Sequence, residues 1–141
     1  MFRYVTTISV IIVSVILFAL SCSEEKFNSP EAVVKANLKY MNEENLSGVM
    51  STIHTQSNAY DATEKVIAEL FDQYDLEYTI EKMEVVEEKE VSAVVSFTQV
   101  TKKKSGGDFR DNRISGQHII KKDGNNWKIF ITEIYSTEYL N

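Results

Sequence analysis

The side chains of this sequence that can do chemistry are few: two histidines, one carboxylate in an apolar stripe, several tyrosines and one cysteine. His118 sits between Gln117 and Ile119 in a strand-like run. An imidazole there serves as general acid or base, or donates a hydrogen bond across a sheet. Glu133 continues the phase of Trp127, Ile129 and Ile131, and Tyr135 follows in the same phase. A carboxylate in such a stripe could be a base with a raised pKa. The competing reading, which we favour, turns the strand out of the core there and pairs Glu133 with a neighbouring Arg or Lys. Gln99 continues the inward phase of Val95 and Phe97, and Tyr40 and Tyr60 offer hydroxyl donors. His54 falls at the end of a short helix, where a cation suits the dipole. Cys22 has no second thiol to pair with, and no Cys/His cluster has zinc-ligand spacing. Neither a metal nor a cofactor is expected.

These side chains need elements to hold them, and the front half reads helical. Ser29 can cap a helix with Pro30 at its first position, where a missing N–H costs nothing. Ala32, Val33, Ala36, Tyr40 and Met41 recur at helical spacing. After a break at Asn42–Asn45, Leu46, Val49, Met50 and Ile53 form a single stripe. A third helix is predicted to start at Asp61, with Glu64 completing a capping-box arrangement. Its stripe is Val66, Ile67, Leu70, Phe71 and Tyr74.

The back half alternates. Tyr78 and Ile80 share one face, then Met83 and Val85 become the apolar set, so a bulge or bend is expected near Lys82. Val91, Ala93, Val95 and Phe97 make the inner face of a second strand. Lys102 to Asn112, with Gly106 and Gly107, reads as a loop or wide hairpin. Its lysines, with Arg110 and Arg113, read as a solvated basic patch, or one that meets anionic head groups. Strands follow at about 113–122 and 127–137, joined by the turn Asp123-Gly124-Asn125-Asn126. Tight connections make the sheet antiparallel. The fold class is α+β, with three N-terminal helices packed on a curved antiparallel sheet of about four strands.

The first residues carry a different signal. Arg3 precedes an apolar run, Val5 to Leu20, which ends at Ala19-Leu20-Ser21-Cys22. The run is shorter than the about 20 apolar residues of a spanning helix and suits a removable signal. It resembles a bacterial lipoprotein signal peptide, although Leu20 stands one place later than in the usual lipobox. The resemblance implies removal of residues 1–21 and acylation of Cys22. It also implies a lipid-anchored protein of the cell envelope, on the extracytoplasmic side of the membrane. Cleavage after Ser21 by an ordinary signal peptidase is the rival. Ser23-Glu24-Glu25 reads as solvated linker or as an acidic sorting signal for surface exposure. Residues 22–28 are taken as the linker and 29–141 as one domain.

Fifteen Lys and Arg against 21 Asp and Glu give a net charge of −6. That balance disfavours nucleic acid as a partner.

The run Tyr40-Met41-Asn42-Glu43-Glu44-Asn45-Leu46-Ser47-Gly48-Val49-Met50 and the ending Trp127-Lys128-Ile129 after a Lys-Asp-Gly turn resemble the nuclear-transport-factor-2-like (SnoaL-like) family. The resemblance covers about residues 30–140. It implies a cone-like, cystatin-like roll with a cavity between the helices and the concave sheet face. It implies a candidate pocket of Tyr40, Tyr60, Gln99, His118, Trp127, Glu133 and Tyr135. Ketosteroid-isomerase chemistry needs an Asp base and a protonated Asp in a dry pocket. No Asp lies on an apolar stripe here, and Asp61 reads as a helix cap. The favoured function is therefore a non-catalytic domain binding a small apolar ligand or a protein. The alternative is a small cofactor-independent lyase or isomerase. Proteins of this fold often pair through the outer sheet face. Val94, Val100, Phe130 and Ile134 are expected on that face, so a homodimer centred on Phe130 and Ile134 is a further expectation.

Overall fold

A computed structural model describes residues 26–141. The N-terminal apolar run read as a signal, Cys22 and the start of the expected linker lie outside the described residues. The order is α1 (Pro30–Asn42), α2 (Leu46–Ser51), α3 (Tyr60–Gln73), then β1 (Tyr74–Glu88), β2 (Ser92–Gly106), β3 (Asn112–Asp123) and β4 (Asn126–Tyr139). The strands form one antiparallel meander in the order β1-β2-β3-β4. This is the α+β class with three helices before a four-stranded sheet.

Local chemistry sets the helix ends. Ser29 Oγ accepts from the Ala32 amide at 3.1 Å, with Pro30 at the first turn. Asn45 Oδ1 accepts from the Gly48 amide at 2.9 Å and starts α2. The capping box expected at Asp61 and Glu64 is absent: α3 begins at Tyr60 behind Ala59, and Asp61 lies inside the first turn. Ser57 is the reason. Its hydroxyl donates to the Phe130 carbonyl at 2.6 Å and accepts from the Ala59 amide at 3.2 Å, which pins the chain ahead of Asp61.

The sheet curls because it is bulged. On β1, Glu81 is an extra residue between the pairs Ile80–Gln99 and Lys82–Thr98, so the slip expected near Lys82 is present. On β4, Phe130 and Tyr135 are extra residues, between Ile129 and Ile131 and between Ile134 and Ser136. A bulged strand bends and twists more strongly. Gly116 marks the tightest point, since a Cβ there would stand 2.1 Å from the Glu133 carbonyl oxygen.

The bulges also re-sort the faces of β4. Trp127 and Ile129 face the core, but Thr132 then pairs with His118 on the concave side, and Glu133 pairs with Gln117 on the outer side. Ile134, paired with Gly116, shares the concave phase instead of the outer one expected. Phe130 is engaged at the bulge, with Lys121 Nζ 3.6 Å above its ring and the His54 ring at its edge. The exposed apolar groups that β4 places on the outer face are then Ile131 and Tyr135.

Two other expectations change. Lys102–Lys104 belong to β2: Lys102 and Lys103 pair with Glu77 and Leu76 of β1, Lys104 is an extra residue at a bulge with Asp75 3.5 Å away, and Asp111 Oδ1 accepts from the Lys103 amide. Phe27, placed in the linker by its polar neighbours, is 2% exposed and part of the core. It is tied to the β3–β4 turn through Trp127 N–H to Phe27 O at 3.0 Å and Phe27 N–H to Asn126 Oδ1 at 3.1 Å. Phe27, Val33, Val34, Met50, Val95, Ile120, Trp127 and Ile129 form the packed core. Helix α3 contributes no buried residue, and Val66 of its expected stripe is 55% exposed.

Trp127 is 4% exposed, so Trp127→Ala should lower stability by about 3–5 kcal/mol in denaturant unfolding. A change under about 1 kcal/mol would show the ring outside the core. Gly116→Ala should lose about 1–3 kcal/mol, because backbone rather than a flexible side chain opposes the new methyl group. A neutral Gly116→Ala would contradict the close approach to Glu133.

Candidate functional site

A cavity of about 180 Å³ lies between the helices and the concave face. Tyr78 reaches it from β1, Phe97 and Gln99 from β2, and Ile114 and His118 from β3. Ile129 and Thr132 of β4 close the far wall. Asn37, Met41 and Val49 lie above, and Thr63 and Ile67 of α3 form the side with least burial. None of the described residues lining it is Asp, Glu, Lys or Arg.

Tyr78 stands out among these side chains. It is 8% exposed, yet its hydroxyl is buried with no hydrogen-bond partner. A buried polar group left unpaired costs about 1–3 kcal/mol. Its peptide is held on both sides by Asn42, whose Oδ1 accepts from the Tyr78 N–H and whose Nδ2 donates to the Tyr78 carbonyl, each at 2.9 Å. Burial, with the Glu44 charge adding to it, pushes the phenol pKa well above its usual range. The hydroxyl is therefore a donor at neutral pH.

His118 stacks on Phe97 with ring centroids 4.3 Å apart. Its Nδ1 is 2.8 Å from Thr132 Oγ1. Enclosure by the cavity walls pushes its pKa down to about 4. The ring is neutral at pH 7 and offers one donor and one acceptor. Gln99 Nε2 donates to Thr101 Oγ1 at 3.3 Å, and Asn37 Nδ2 donates to Thr52 Oγ1 at 2.8 Å. The site is thus polar at a few points, uncharged, and otherwise apolar.

Of the candidates read from the sequence, the structure brings Gln99 and His118 to the cavity. The other five lie elsewhere. The Tyr40 ring covers Gly48, where a Cβ would come within 2.4 Å of it, so this tyrosine clamps α1 to α2. Tyr60 lines a surface groove with Glu64 and Lys128. Trp127 fills the core. Glu133 and Tyr135 are moved to the outer face by the β4 bulges, where Glu133 Oε2 accepts from Gln117 Nε2 at 2.7 Å. The ion pair expected for Glu133 is replaced by this hydrogen bond from the Gln117 amide. His54 does not serve as a cation at a helix end: it is buried, with Nδ1 accepting from the Gln56 amide and Nε2 3.3 Å from the Lys122 carbonyl. Those two contacts make Nε2 the protonated nitrogen. No cluster of His, Cys, Asp and Glu among the described residues could hold a metal ion.

Tyr78 was passed over because it reads as an apolar position in the inward phase of β1. The signal was there: a tyrosine facing a core still needs a partner for its hydroxyl.

The depressed His118 pKa fixes the sign of a pH effect. The unfolded chain, with an imidazole pKa of about 6.5, binds this proton more readily than the folded one between pH 4 and 6.5. Stability should be full above about pH 6.5 and fall on acidification towards pH 4, by on the order of 2 kcal/mol after discounting for solvent at the cavity mouth. Urea unfolding of wild type and His118→Asn over pH 4–7 should show a shallower slope in the variant. Equal slopes would mean that the ring is solvated and titrates normally.

Solved structures with this architecture include one from Bdellovibrio bacteriovorus, described as Bd1075, at TM-score 0.64 and 12% identity, covering 74% of this chain and 38% of that one. A ketosteroid isomerase-like protein from Erwinia carotovora atroseptica matches at TM-score 0.54 and 17% identity, covering 71% of this chain and 87% of that one. An NTF-2-like protein of unknown function from Shewanella oneidensis matches at TM-score 0.54 and 14% identity, covering 72% and 92%. At such identities these likenesses show the fold, which is the nuclear-transport-factor-2-like cone. In sequence, the chain is 43% identical over 70 residues to the anti-sigma-I factor RsgI9 of Acetivibrio thermocellus. That stretch is 49% of this chain but 10% of that protein. Residues 32–140 match the family described as the C-terminal domain of anti-sigma-I factor RsgI9, and the chain belongs to that family.

Proposed function

We propose that this chain is a lipid-anchored domain of the cell envelope that binds a small molecule in its concave cavity and does not turn it over. The single observation that carries the reading is the concave cavity of about 180 Å³, walled mainly by apolar side chains and with no charged group among the described lining residues. A concave, mostly apolar site with a few polar groups is the usual form of a small-molecule site. Catalysis by the same cavity has less support. Acid–base chemistry needs a donor and an acceptor within reach of one substrate. Glu133, the carboxylate candidate, bonds to Gln117 on the opposite face. His118, with a pKa of about 4, is a poor base at pH 7. The relative's regulatory name also favours binding over turnover. Because the match spans a tenth of that protein, sigma-factor binding is not carried over with it.

The anchor rests on Cys22, which follows the apolar run. One acyl chain holds a protein only marginally, so a diacylglyceryl group is the expected modification.

Two measurements test these halves. Cell fractionation should find the wild type in membranes and Cys22→Ala released. A soluble wild type, or a variant still in membranes, would remove the anchor. For the cavity, a thermal-shift screen of uncharged small molecules should give compounds that raise the wild-type Tm, as any ligand of the native state does. Ile114→Trp, which fills the cavity, should abolish those shifts. Equal stabilisation of both proteins would place binding elsewhere.

A further inference from the structure

Phe27 fixes the place where the chain enters the domain. Its carbonyl accepts from the Trp127 amide at 3.0 Å, and its own amide donates to Asn126 Oδ1 at 3.1 Å. Trp127 pairs with Lys122 across the β3–β4 turn, and the Lys122 amide donates to the Val91 carbonyl at 3.0 Å. Phe27, the β3–β4 turn and the β1–β2 turn therefore sit side by side at one end of the sheet. Three strand spacings, about 14 Å, separate Phe27 from Val91. The β2–β3 hairpin and the end of β4 lie at the other end, where Thr101 pairs with Asn112 and Asn112 with Tyr139. From Ser92 to Thr101, β2 runs about 30 Å.

Cys22 stands five residues before Phe27. Whatever their conformation, five residues reach no further than about 18 Å. An acylated Cys22 sits at the bilayer surface, so Phe27 and the two turns beside it stand close to that surface. The hairpin with Lys102–Lys104 is out of this reach in an upright domain and meets the bilayer only if the domain lies on its side.

Two observations favour the upright arrangement. Val86 and Val91 flank the β1–β2 turn and are 54% and 61% exposed. They give this end an apolar edge that water does not favour. Charge points the same way. Within residues 23–26, 86–91 and 121–128, five lysines stand against six Asp and Glu. The rest of residues 23–141 holds nine Lys and Arg against 15 Asp and Glu. Anionic head groups therefore repel this end least. Lying on the outer sheet face would instead press the groove of Glu77, Glu81, Lys102 and Arg113, together with Glu133, onto the head groups.

Resting on the anchor reading above, we propose that this end of the domain is a bilayer-docking surface. The β1–β2 and β3–β4 turns face the membrane that holds Cys22, and Val86 and Val91 enter its head-group region. The cavity wall at Gln99 and Ile114 is then raised above the bilayer by about 20 Å. The lysines of the β2–β3 hairpin stand at the membrane-distal end.

The test uses the acylated full chain, purified from membranes with ¹³C at its valine methyl groups. It is placed in nanodiscs that carry a gadolinium chelate on a small share of head groups. Relaxation enhancement falls with the inverse sixth power of distance. Val91 and Val100 stand about 30 Å apart along one strand line, so Val86 and Val91 should show at least about tenfold more enhancement than Val100. Val100 lines the outer-face groove and Val66 is exposed on α3, so these two report the other orientations. In Val91→Asp the enhancement at Val86 should fall severalfold, while the buried Val33 and Val95 methyl groups keep their shifts.

Val100 enhanced as strongly as Val91 would put the outer face on the bilayer. Val66 enhanced as strongly would put α3 there. Either result, or no enhancement at Val86 and Val91 in a chain that stays in the nanodiscs, overturns the docking surface and leaves the anchor standing. An unchanged Val86 signal in Val91→Asp overturns the valine contact. A full chain that leaves the nanodiscs overturns the anchor reading and the docking surface together.

Discussion

The curl of the sheet is the constraint from which the rest of the molecule follows. A flat four-stranded meander would offer the helices a surface to cover and nothing to enclose. Here β1 carries extra residues at Glu81 and Val86, and β4 carries them at Phe130 and Tyr135. Each bends its strand. At Gly116 the neighbouring strand comes so close that a Cβ has no room. With Lys104 a further extra residue on β2, the strands bend at several points and the sheet folds round into a cone. The concave face then collects Tyr78, Gln99, His118 and Thr132 from four different strands.

The cone is closed at one end and loosely covered at its side. Phe27, Trp127 and Val33 pack the closed end, and the backbone bond from Trp127 to Phe27 ties the start of the domain to the β3–β4 turn. The β4 edge is shielded by the segment after α2, through His54 N–H to Ile129 O and Ile129 N–H to Thr52 O, both at 2.8 Å. Helix α3 differs. It has an apolar stripe and buries none of it fully. Its residues border the cavity instead of filling it, which is why space remains between α3 and the sheet. The energetic consequence lies at Tyr78, where the strand supplies a hydroxyl that the surrounding protein does not pair. The neutral state of His118 has the same origin, since the enclosure that isolates Tyr78 also disfavours a charged imidazole.

Much of this architecture was legible in the sequence, for identifiable reasons. Ser29 followed by Pro30 and the Asp-Gly-Asn-Asn turn specify their local geometry by short-range chemistry, and each appears where expected; the second helix follows the expected break at Asn42–Asn45, with the Asn45 cap added by the structure. The slip in β1 was visible because apolar residues on both sides of Lys82 changed parity. The slip in β4 was not, because Ile129, Phe130 and Ile131 are all apolar and any phase through them looks continuous. That one ambiguity carried Glu133 and Tyr135 to the wrong face and left Thr132 unnoticed. The start of α3 was missed for a different reason: the Ser57–Phe130 contact that sets it joins residues far apart in the chain. Gln99 and His118 were legible as cavity residues because β2 alternates cleanly from Ala93 to Phe97, Gln99 continues that phase, and β3 pairs with β2 residue for residue.

The account's central claim is that the concave cavity is a small-molecule site and not a packing gap. The most direct measurement is a high-resolution crystal structure of the chain soaked with an uncharged ring-sized probe such as cyclohexanone. The account predicts the ring inside a cavity still bordered by Thr63 and Ile67. An empty site, with α3 settled onto the sheet and no room for the ring, would contradict it.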